Sequence, residues 1–176
     1  MSVELIPVRP EHATELARIC HLAFNTLHER HRVHADVPTE EVGRQIMGAI
    51  LPRADYHGIV AIENGRPIGS NFLLAADEVC GLGPITVDPA VQSKGVGRLL
   101  MEWAIEEAKR RRGAGVRVRL FQEAINATSL SLYTRVGFCW RDSAAIMHPA
   151  PARADDRSIR AMTTDDLKQV EKLTIR

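Results

Sequence analysis

A strand-like run meets the longest helical pattern of this chain in Val87-Asp88-Pro89-Ala90-Val91-Gln92-Ser93-Lys94-Gly95-Val96-Gly97-Arg98. The residues just before Asp88-Pro89 are β-branched, which is typical of a strand that ends in a turn. After the turn, apolar residues recur at helical spacing at Leu99, Leu100, Trp103, Ala104 and Ala108. The stretch therefore predicts a strand, a Gln-x-x-Gly-x-Gly turn and a helix.

The turn has the features of an anion-binding site. Gly95 and Gly97 carry no Cβ that would hold a bound group away from the first helical amides, which have no partner within the helix. The helix dipole favours a phosphate there, and Lys94 and Arg98 add positive charge. The sequence has no Walker loop and is one glycine short of a dinucleotide fingerprint. A pyrophosphate site and a glycine-rich helix start without a ligand are both compatible with the turn alone.

A second motif follows in Asn126-Ala-Thr-Ser129-Leu-Ser-Leu-Tyr133-Thr-Arg-Val-Gly137-Phe138. It predicts a short helix that ends at Gly137 and leads into a strand. Together, Gln-x-x-Gly-x-Gly and Asn-x-x-Ser-x-x-x-Tyr-x-x-x-Gly-Phe resemble the GCN5-related N-acetyltransferase (GNAT) superfamily. The resemblance extends over residues 3–149.

The resemblance implies an α/β GNAT fold, which is a mixed, mostly antiparallel sheet with helices on both faces. The sheet would be splayed between the strand ending at Val87 and the next parallel strand, near Phe121, with acetyl-CoA in the opening. The implied activity is transfer of acetyl from acetyl-CoA to a primary amine by direct attack in a ternary complex. A small-molecule acceptor is slightly preferred over a protein or peptide, and no metal is expected.

The resemblance also assigns roles to residues. The backbone of Ile85, Thr86 and Val87 would pair with the pantetheine arm, and one of these amides would polarise the thioester carbonyl. The pyrophosphate would bind at the amides of Lys94, Gly95, Val96, Gly97 and Arg98, and Gln92 and Ser93 would also bind the cofactor. Asn126 would bond the cofactor arm or cap its helix. Tyr133 would donate a proton to the leaving thiolate or pack as a core aromatic.

A general base is not specified by the motifs. Ribosomal-protein acetyltransferases of this superfamily carry a glutamate five residues before the asparagine, where this chain has Phe121. Asp77, Glu78 and Glu123 are alternative bases, and a solvated strand end explains them equally well. Deprotonation through water would need no named residue.

Three histidines at a spacing of three, His28, His31 and His34, precede Asp36. They suggest a metal site, but a solvated helix end or loop is favoured because the residues that back a zinc helix are missing. In proteins that this chain resembles, the segment borders the acceptor pocket. His31, His34 and Asp36 are therefore candidates for contact with the acceptor.

The composition is that of an ordinary soluble domain, with 176 residues of which 45% are hydrophobic and 26% charged. The net charge of +1 gives no reason to expect nucleic acid or an anionic membrane as partner. Cys20, Cys80 and Cys139 lie in apolar patterns, which favours reduced, buried thiols. No signal peptide or apolar run of ~18 residues is evident, so we expect a cytoplasmic protein.

The other elements follow from periodicity and turn signals. We expect a strand over residues 3–9, helices from Pro10 and Thr39, and a hairpin at Asn64-Gly65. Further strands are expected over residues 78–87, 116–121 and 138–148. The cations of Lys109-Arg110-Arg111-Arg112 indicate a helix C-terminus rather than a nucleic-acid patch.

The C-terminal part repeats the pattern of the N-terminus. Ile159-Arg160, with apolar residues after it, matches Val8-Arg9 and its helix at an offset of 151 residues. We expect a GNAT domain over residues 1–149, a linker over 150–157 and an extension over 158–176 that resembles the start of a second GNAT repeat. A second GNAT domain or a homodimer would be a compatible partner.

Two other functions are compatible with these motifs. A non-catalytic, regulatory half of a tandem GNAT protein would need the same acetyl-CoA motifs and no base. Nucleotide binding at the turn is a third alternative, because a phosphate site does not by itself specify the rest of its ligand.

Overall fold

The computed structural model describes residues 3–92, 95–144 and 160–174. The chain divides into two compact units, Met1–Trp140 and Arg141–Arg176. The domain boundaries predicted at residues 149 and 157 lie outside the described residues and stay a prediction. Within the described ranges, no helix has the length and apolar character needed to cross a membrane.

The first unit is built from one sheet and four α-helices among its described residues. The strands are β1 (Glu4–Pro7), β2 (Tyr56–Glu63), β3 (Arg66–Leu74), β4 (Val79–Leu82), β5 (Thr86–Val87) and β6 (Arg117–Leu120). The helices are α1 (Ala13–His31), α2 (Glu40–Ile50), α3 (Val96–Arg112) and α4 (Ala127–Arg135). A 3-10 turn, Pro10–His12, leads into α1, and another, Pro89–Val91, follows β5.

The sheet is mixed and mostly antiparallel, which confirms the predicted fold class. Its strand order is β1-β2-β3-β4-β6, and β5 pairs with β3. Only β4 and β6, of the strands described, run parallel. The predicted hairpin is present between β2 and β3, where Asn64 and Gly65 have φ values of 51° and 75°. Positive φ at both turn residues is the geometry that Asn-Gly favours.

Helices cover both faces of the sheet, as predicted. Alternation along β2 places Val60 in a core with α1 and α2, which contains Leu16, Ala17, Cys20, Met47, Ile50 and Phe72. The neighbouring residues Ile59 and Ala61 pack in a second core with Val96 and Leu100 of α3. The two cores hold α1 and α3 on opposite sides of the same central strands.

The sheet opens between β4 and β6. Their pairing runs in register from Val79 with Arg117 to Leu82 with Leu120. Beyond Leu82 the chain continues as β5, which pairs with β3 through Thr86 opposite Ser70. The strand predicted over residues 78–87 is thus two short strands, and the second one leads away from β6. This confirms the predicted splay between the strand ending at Val87 and the next parallel strand.

Two sequence expectations were wrong. Residues 138–144 contain no strand, although alternation predicts one there, and residues 145–148 of that prediction lie outside the described ranges. Cys20 and Cys80 are buried free thiols, but Cys139 is exposed. Burial raises the pKa of the Cys20 thiol to about 11. The alternation around Cys139 is a local pattern, and burial requires a packing partner that the pattern does not supply.

The second unit contains a 3-10 turn, Thr164–Asp166, followed by α5 (Leu167–Thr174). Arg160 makes two hydrogen bonds of 2.7 Å to the Asp166 carboxylate and holds the pKa of that group well below its usual range. Both units contain a 3-10 turn that leads into a helix, and the turn at Thr164 begins 154 residues after the turn at Pro10. The sequence pattern repeats at an offset of 151 residues, so the two offsets differ by three. The repeat stays a prediction.

Candidate active site

The predicted anion cradle lies at the start of α3. Gly95 precedes the helix with φ = 86°, a left-handed conformation that strains any residue with a Cβ. No side chain among the described residues caps this end, and the first turn contains no acidic residue. The amides of Val96, Gly97 and Arg98 begin the helix and therefore have no intrahelical acceptor. Ser93 and Lys94 lie outside the described residues.

The two polar side chains of the cradle that the structure describes, Gln92 and Arg98, have local partners. Gln92 donates from Nε2 to the Val87 carbonyl oxygen at 3.2 Å and so fixes the turn between β5 and α3. Arg98 donates to Glu102 at 2.7 Å, and its side chain is 70% exposed. An exposed pair of this kind is weak, so the guanidinium can turn toward a bound anion at little cost.

Gly97 also affects how closely α4 packs against α3. A Cβ at this position would lie 3.2 Å from Cδ2 of Leu132 on α4. The glycine thus allows α4 to pack closely against the start of α3, whereas at Gly95 it is the backbone conformation that requires glycine. Because Tyr133 follows Leu132, this contact also places the tyrosine's helix beside the cradle.

The backbone N–H groups of β5 point alternately toward β3 and toward the opening of the sheet. Asp88 donates its N–H to the Ile68 carbonyl oxygen at 2.9 Å. Thr86, two residues before Asp88, pairs with Ser70 of β3. Bonding alternates along an antiparallel ladder, so Thr86 also bonds toward β3, while the N–H groups of Ile85 and Val87 point to the opposite edge. The Thr86 side chain is buried near Ser70, with 3.4 Å between their hydroxyl oxygens. Ile85 and Val87 are therefore the residues whose backbone faces the opening.

Asn126 caps α4 and keeps donors free. Its Oδ1 accepts the Ser129 N–H at 3.0 Å, which is the helix-cap role. The amide donors of its Nδ2 have no partner among the described residues. The cap and a bond to the cofactor arm are compatible, since they use different atoms of one side chain.

Tyr133 is buried on α4, with 7% of its surface exposed. Its ring packs 6.3 Å from the Phe138 ring at a tilt of 59°. Burial raises the pKa of the phenol above its usual value of 10.0, and a hydrogen bond with Ser129 acts in the opposite direction. The phenol is therefore protonated at neutral pH and is available as a hydrogen-bond donor.

Gln122, two residues after β6, carries a buried Oε1 atom that has no hydrogen-bond donor among the described residues. A buried acceptor without a donor is costly, and a ligand with N–H groups in the opening would supply one. The two amides of a pantetheine arm provide such donors. The residues at the opening thus fit acetyl-CoA both in these acceptors and in the free amides of α3.

Helix α1 contacts the segments that follow the two strands at the opening. Near its start, Arg18 donates to Asp88, just after β5, at 3.0 Å. Near its end, Nε2 of His28 lies 2.7 Å from Oε1 of Glu123, three residues after β6. These two contacts are ten residues apart on the helix, roughly 15 Å at 1.5 Å per residue.

His28 is a site residue that the sequence analysis did not assign. It was expected in a solvated helix end, but it is 1% exposed. A signal was available, because His28 continues the buried and half-buried stripe of Ala17, Cys20 and Phe24 at spacings of three and four. His31 and His34 are exposed as expected, and the structure brings neither to Glu123. Asp36, also exposed, comes within 4.8 Å of the ligand atoms of His28 and Glu123.

The other predicted bases lie at the wrong end of β4. Asp77 and Glu78 precede Val79, whereas the sheet opens after Leu82, roughly 10–13 Å further along the strand. The Glu78 side chain is 95% exposed beside Arg117. Of Asp77, Glu78 and Glu123, only Glu123 lies at the opening.

The basic run at the end of α3 is a helix terminus, as predicted. Lys109 pairs with Glu106 at 2.7 Å, and Arg110 and Arg111 share Glu107 at 2.6 Å. Arg112 donates to the Ala75 carbonyl oxygen. The run thus has the cations and local pairing of a helix C-terminus.

A mixed sheet that opens between two parallel strands, beside a glycine-started helix and a buried tyrosine, defines an acetyltransferase fold. The model of the Acetyltransferase (GNAT) family matches residues 18–138, and the chain belongs to that family. The sequence has no significant match to a curated protein.

Several solved structures share the fold. The PaiA N-acetyltransferase from Thermoplasma acidophilum in complex with coenzyme A is 18% identical, with a TM-score of 0.68 over 82% of this chain and 94% of that one. The aminoglycoside N-acetyltransferase AAC(6')-Iy, bound to the bisubstrate analogue CoA-S-monomethyl-acetylneamine, is 12% identical, with a TM-score of 0.65 over 86% and 100%. A Trypanosoma brucei acetyltransferase is 20% identical, with a TM-score of 0.58 over 84% and 100%.

Proposed function

We propose that this chain is an N-acetyltransferase that transfers the acetyl group of acetyl-CoA to a primary amine by direct attack in a ternary complex. A small-molecule amine is favoured over a protein amine as acceptor. Family membership supports the acetyl transfer. The bisubstrate analogue seen in AAC(6')-Iy shows that this fold accommodates a small-molecule acceptor in that protein.

The observation that carries the proposal is the continuity of one segment. The free backbone edge of Ile85 and Val87 leads through the turn at Gln92 to the start of α3, which no side chain caps among the described residues. A long ligand with amides at one end and phosphates beyond them would meet matching groups in that order. The pantetheine and pyrophosphate of CoA have this arrangement.

The chain's residues supply two functions to the reaction. The amide of Ile85 or Val87 donates to the thioester oxygen as negative charge develops on it. The Tyr133 phenol donates a proton to the sulfur as the carbon–sulfur bond breaks, which favours departure of the thiol. The amine nitrogen forms the new bond to the carbonyl carbon, so the products are an amide and free CoA.

The test is thiol release from acetyl-CoA against pooled amines, polyamines, amino acids and short peptides. Tyr133→Phe should lower kcat about 10²-fold and leave the KM for acetyl-CoA nearly unchanged, because only the proton donor is lost. Tyr56→Phe is the matched control, since Tyr56 is the other tyrosine of the chain and lies on β2 against Arg53.

The outcomes separate the alternatives. Thiol release that depends on one pool and falls in Tyr133→Phe but not in Tyr56→Phe supports the enzyme and the acid role. Equal rates in both variants would refute the acid role alone. Silence in every pool, from protein that acetyl-CoA stabilises against heat, would instead identify a cofactor-binding protein without turnover.

A further inference from the structure

His28 is a buried histidine with two hydrogen-bond partners. Its Nε2 lies 2.7 Å from Oε1 of Glu123, and its Nδ1 accepts the backbone N–H of Asp36 at 3.3 Å. A backbone amide can only donate, so Nδ1 carries the lone pair and Nε2 carries the proton. His28 therefore donates to Glu123 as a neutral imidazole, and Glu123 accepts as a carboxylate.

This contact fixes one oxygen of Glu123 and leaves the other accessible. The Glu123 side chain is 29% exposed, and its Oε2 has no hydrogen-bond partner among the described residues. The Glu123 carboxylate thus presents an acceptor that lacks a donor. An ammonium group would supply N–H donors and the charge that a carboxylate attracts.

The position of Glu123 relates it to the proposed reaction. It follows β6 on the side where β6 separates from β4. Its carbonyl oxygen accepts the Asn126 N–H at 3.0 Å, which ties it to the start of the helix that carries Tyr133. The carboxylate and the proposed proton donor are therefore held by one short segment at the opening.

A metal site is the alternative use of the same groups. One ligand atom each of His28, Asp36 and Glu123 lies within 4.8 Å of the others. A metal on Nε2 would need the lone pair of that atom and would move the ring proton to Nδ1. That proton would then face the Asp36 N–H, and two donors would point at each other. The observed hydrogen bonds favour the carboxylate pair over a metal centre.

We propose that Glu123 binds the ammonium group of the acceptor and takes its proton, that His28 positions this carboxylate, and that Asp36 extends the site for a second cationic group. The inference rests on the proposed acetyl transfer and names its acceptor class, an aliphatic amine with more than one positive charge. An amine with a carboxylate beside it is disfavoured, because two acidic side chains would repel it.

The reaction releases one net proton. The acceptor ammonium gives one proton to Glu123, which passes it to water, and the neutral amine attacks the thioester carbon. The carbon–nitrogen bond forms and the carbon–sulfur bond breaks. The nitrogen loses a second proton as the amide forms, and the sulfur gains one from Tyr133, which is reprotonated from solvent. The products are the amide, free CoA and one proton.

The experiment uses 1,4-diaminobutane as acceptor and measures kcat/KM across pH. Glu123→Gln should lower kcat/KM for the diamine about 10²-fold or more at neutral pH, and the deficit should shrink as pH rises and the amine loses its proton in solution. The groups that meet Glu123 among the described residues, His28 and Asp36, are left intact. Glu78→Gln is the matched control, because that exposed carboxylate lies at the other end of β4.

His28 is tested with two substitutions because it is buried. His28→Gln keeps an N–H donor near the Nε2 position and should stay within about fivefold of the wild-type kcat, whereas His28→Leu removes the donor and should lose about tenfold or more. Acetyl-CoA should stabilise each variant against heat as it does the wild type. A merely structural role would lower stability and cofactor binding together, without separating Gln from Leu.

Ring ¹⁵N NMR of His28 makes the test independent of turnover. The ring should show the neutral Nε2–H form, and 1,4-diaminobutane should shift its signal in the presence of acetyl-CoA. If the protein binds acetyl-CoA but shows no turnover of the diamine and no shift of the His28 signal, the inference is wrong. The cofactor part of the proposed function would still stand. A shift to the Nδ1–H form on addition of zinc chloride would overturn it in favour of a metal site.

Discussion

Two glycines of α2 provide a paired test of how closely α1 and α2 pack. A Cβ at Gly43 would overlap the Ala17 carbonyl oxygen and lie 3.1 Å from the carbonyl carbon. A Cβ at Gly48 would meet nothing within 4 Å. Both residues lie inside the same helix, so Gly43→Ala and Gly48→Ala add the same methyl group in two different surroundings.

The expected effects have opposite signs. Alanine is favoured over glycine in a helix interior by about 1 kcal/mol, so Gly48→Ala should raise the free energy of unfolding by about that amount. At Gly43 the neighbour is backbone, which no rotamer change can move, and the helices must separate. Overpacking costs about 1–3 kcal/mol, and at the upper end of that range, less the propensity gain, the net loss is about 2 kcal/mol.

Thermal unfolding followed by circular dichroism measures the difference. For a chain of this size about 1 kcal/mol corresponds to 2–4 °C, so Gly43→Ala should lower Tm by about 4–8 °C and Gly48→Ala should raise it by about 2–4 °C. Equal shifts of the same sign would refute the close contact between α1 and α2. A large loss in Gly48→Ala alone would show that the surroundings of the two glycines are reversed.

Two further predictions concern β5 and the acid stability of α3. Gly69→Ala should weaken acetyl-CoA binding about tenfold in calorimetry, because the added Cβ would lie 2.7 Å from the Thr86 carbonyl oxygen and displace β5 from β3. The control is Gly115→Ala, which should bind acetyl-CoA normally because open space surrounds Gly115. A hydrogen bond from Arg110 holds the pKa of Glu107 below its usual 4.5, so this carboxylate stabilises the fold above that pH and the contribution is lost as pH falls through the folded pKa. Glu107→Gln should therefore lose less stability than the wild type between about pH 5 and pH 3 in urea titrations, and identical acid limbs would refute the assignment.

The elements that could be predicted from the sequence are those set by local chemistry. The Asn64-Gly65 turn, the glycine before α3 and the cap at Asn126 each depend on a few consecutive residues, and the structure has them where they were expected. Family resemblance supplied the rest of the cofactor side, including the placement of Tyr133 on a buried helix face. A motif that encodes its own geometry needs no knowledge of distant neighbours.

The parts that could not be predicted depend on distant contacts. His28 reads locally as part of a histidine-rich helix end, and its side-chain partner, Glu123, lies 95 residues later. The close packing at Gly97 is against Leu132, which lies in another helix. The break between β4 and β5 is a change of neighbours, since β4 pairs with both β3 and β6, whereas β5 pairs with β3 alone among the described strands. Side-chain patterns identify polar groups but do not reveal which of them meet.

The contacts of α1 with both borders of the opening make that helix a spacer of fixed length. An α-helix does not stretch, so the separation of Asp88 and Glu123 is set by the rise between Arg18 and His28 rather than by the loops that carry the two carboxylates. A ligand that wedges the strands apart would have to break one of these two ties. We therefore expect that selection for bulkier acyl groups would find its first mutations in α1.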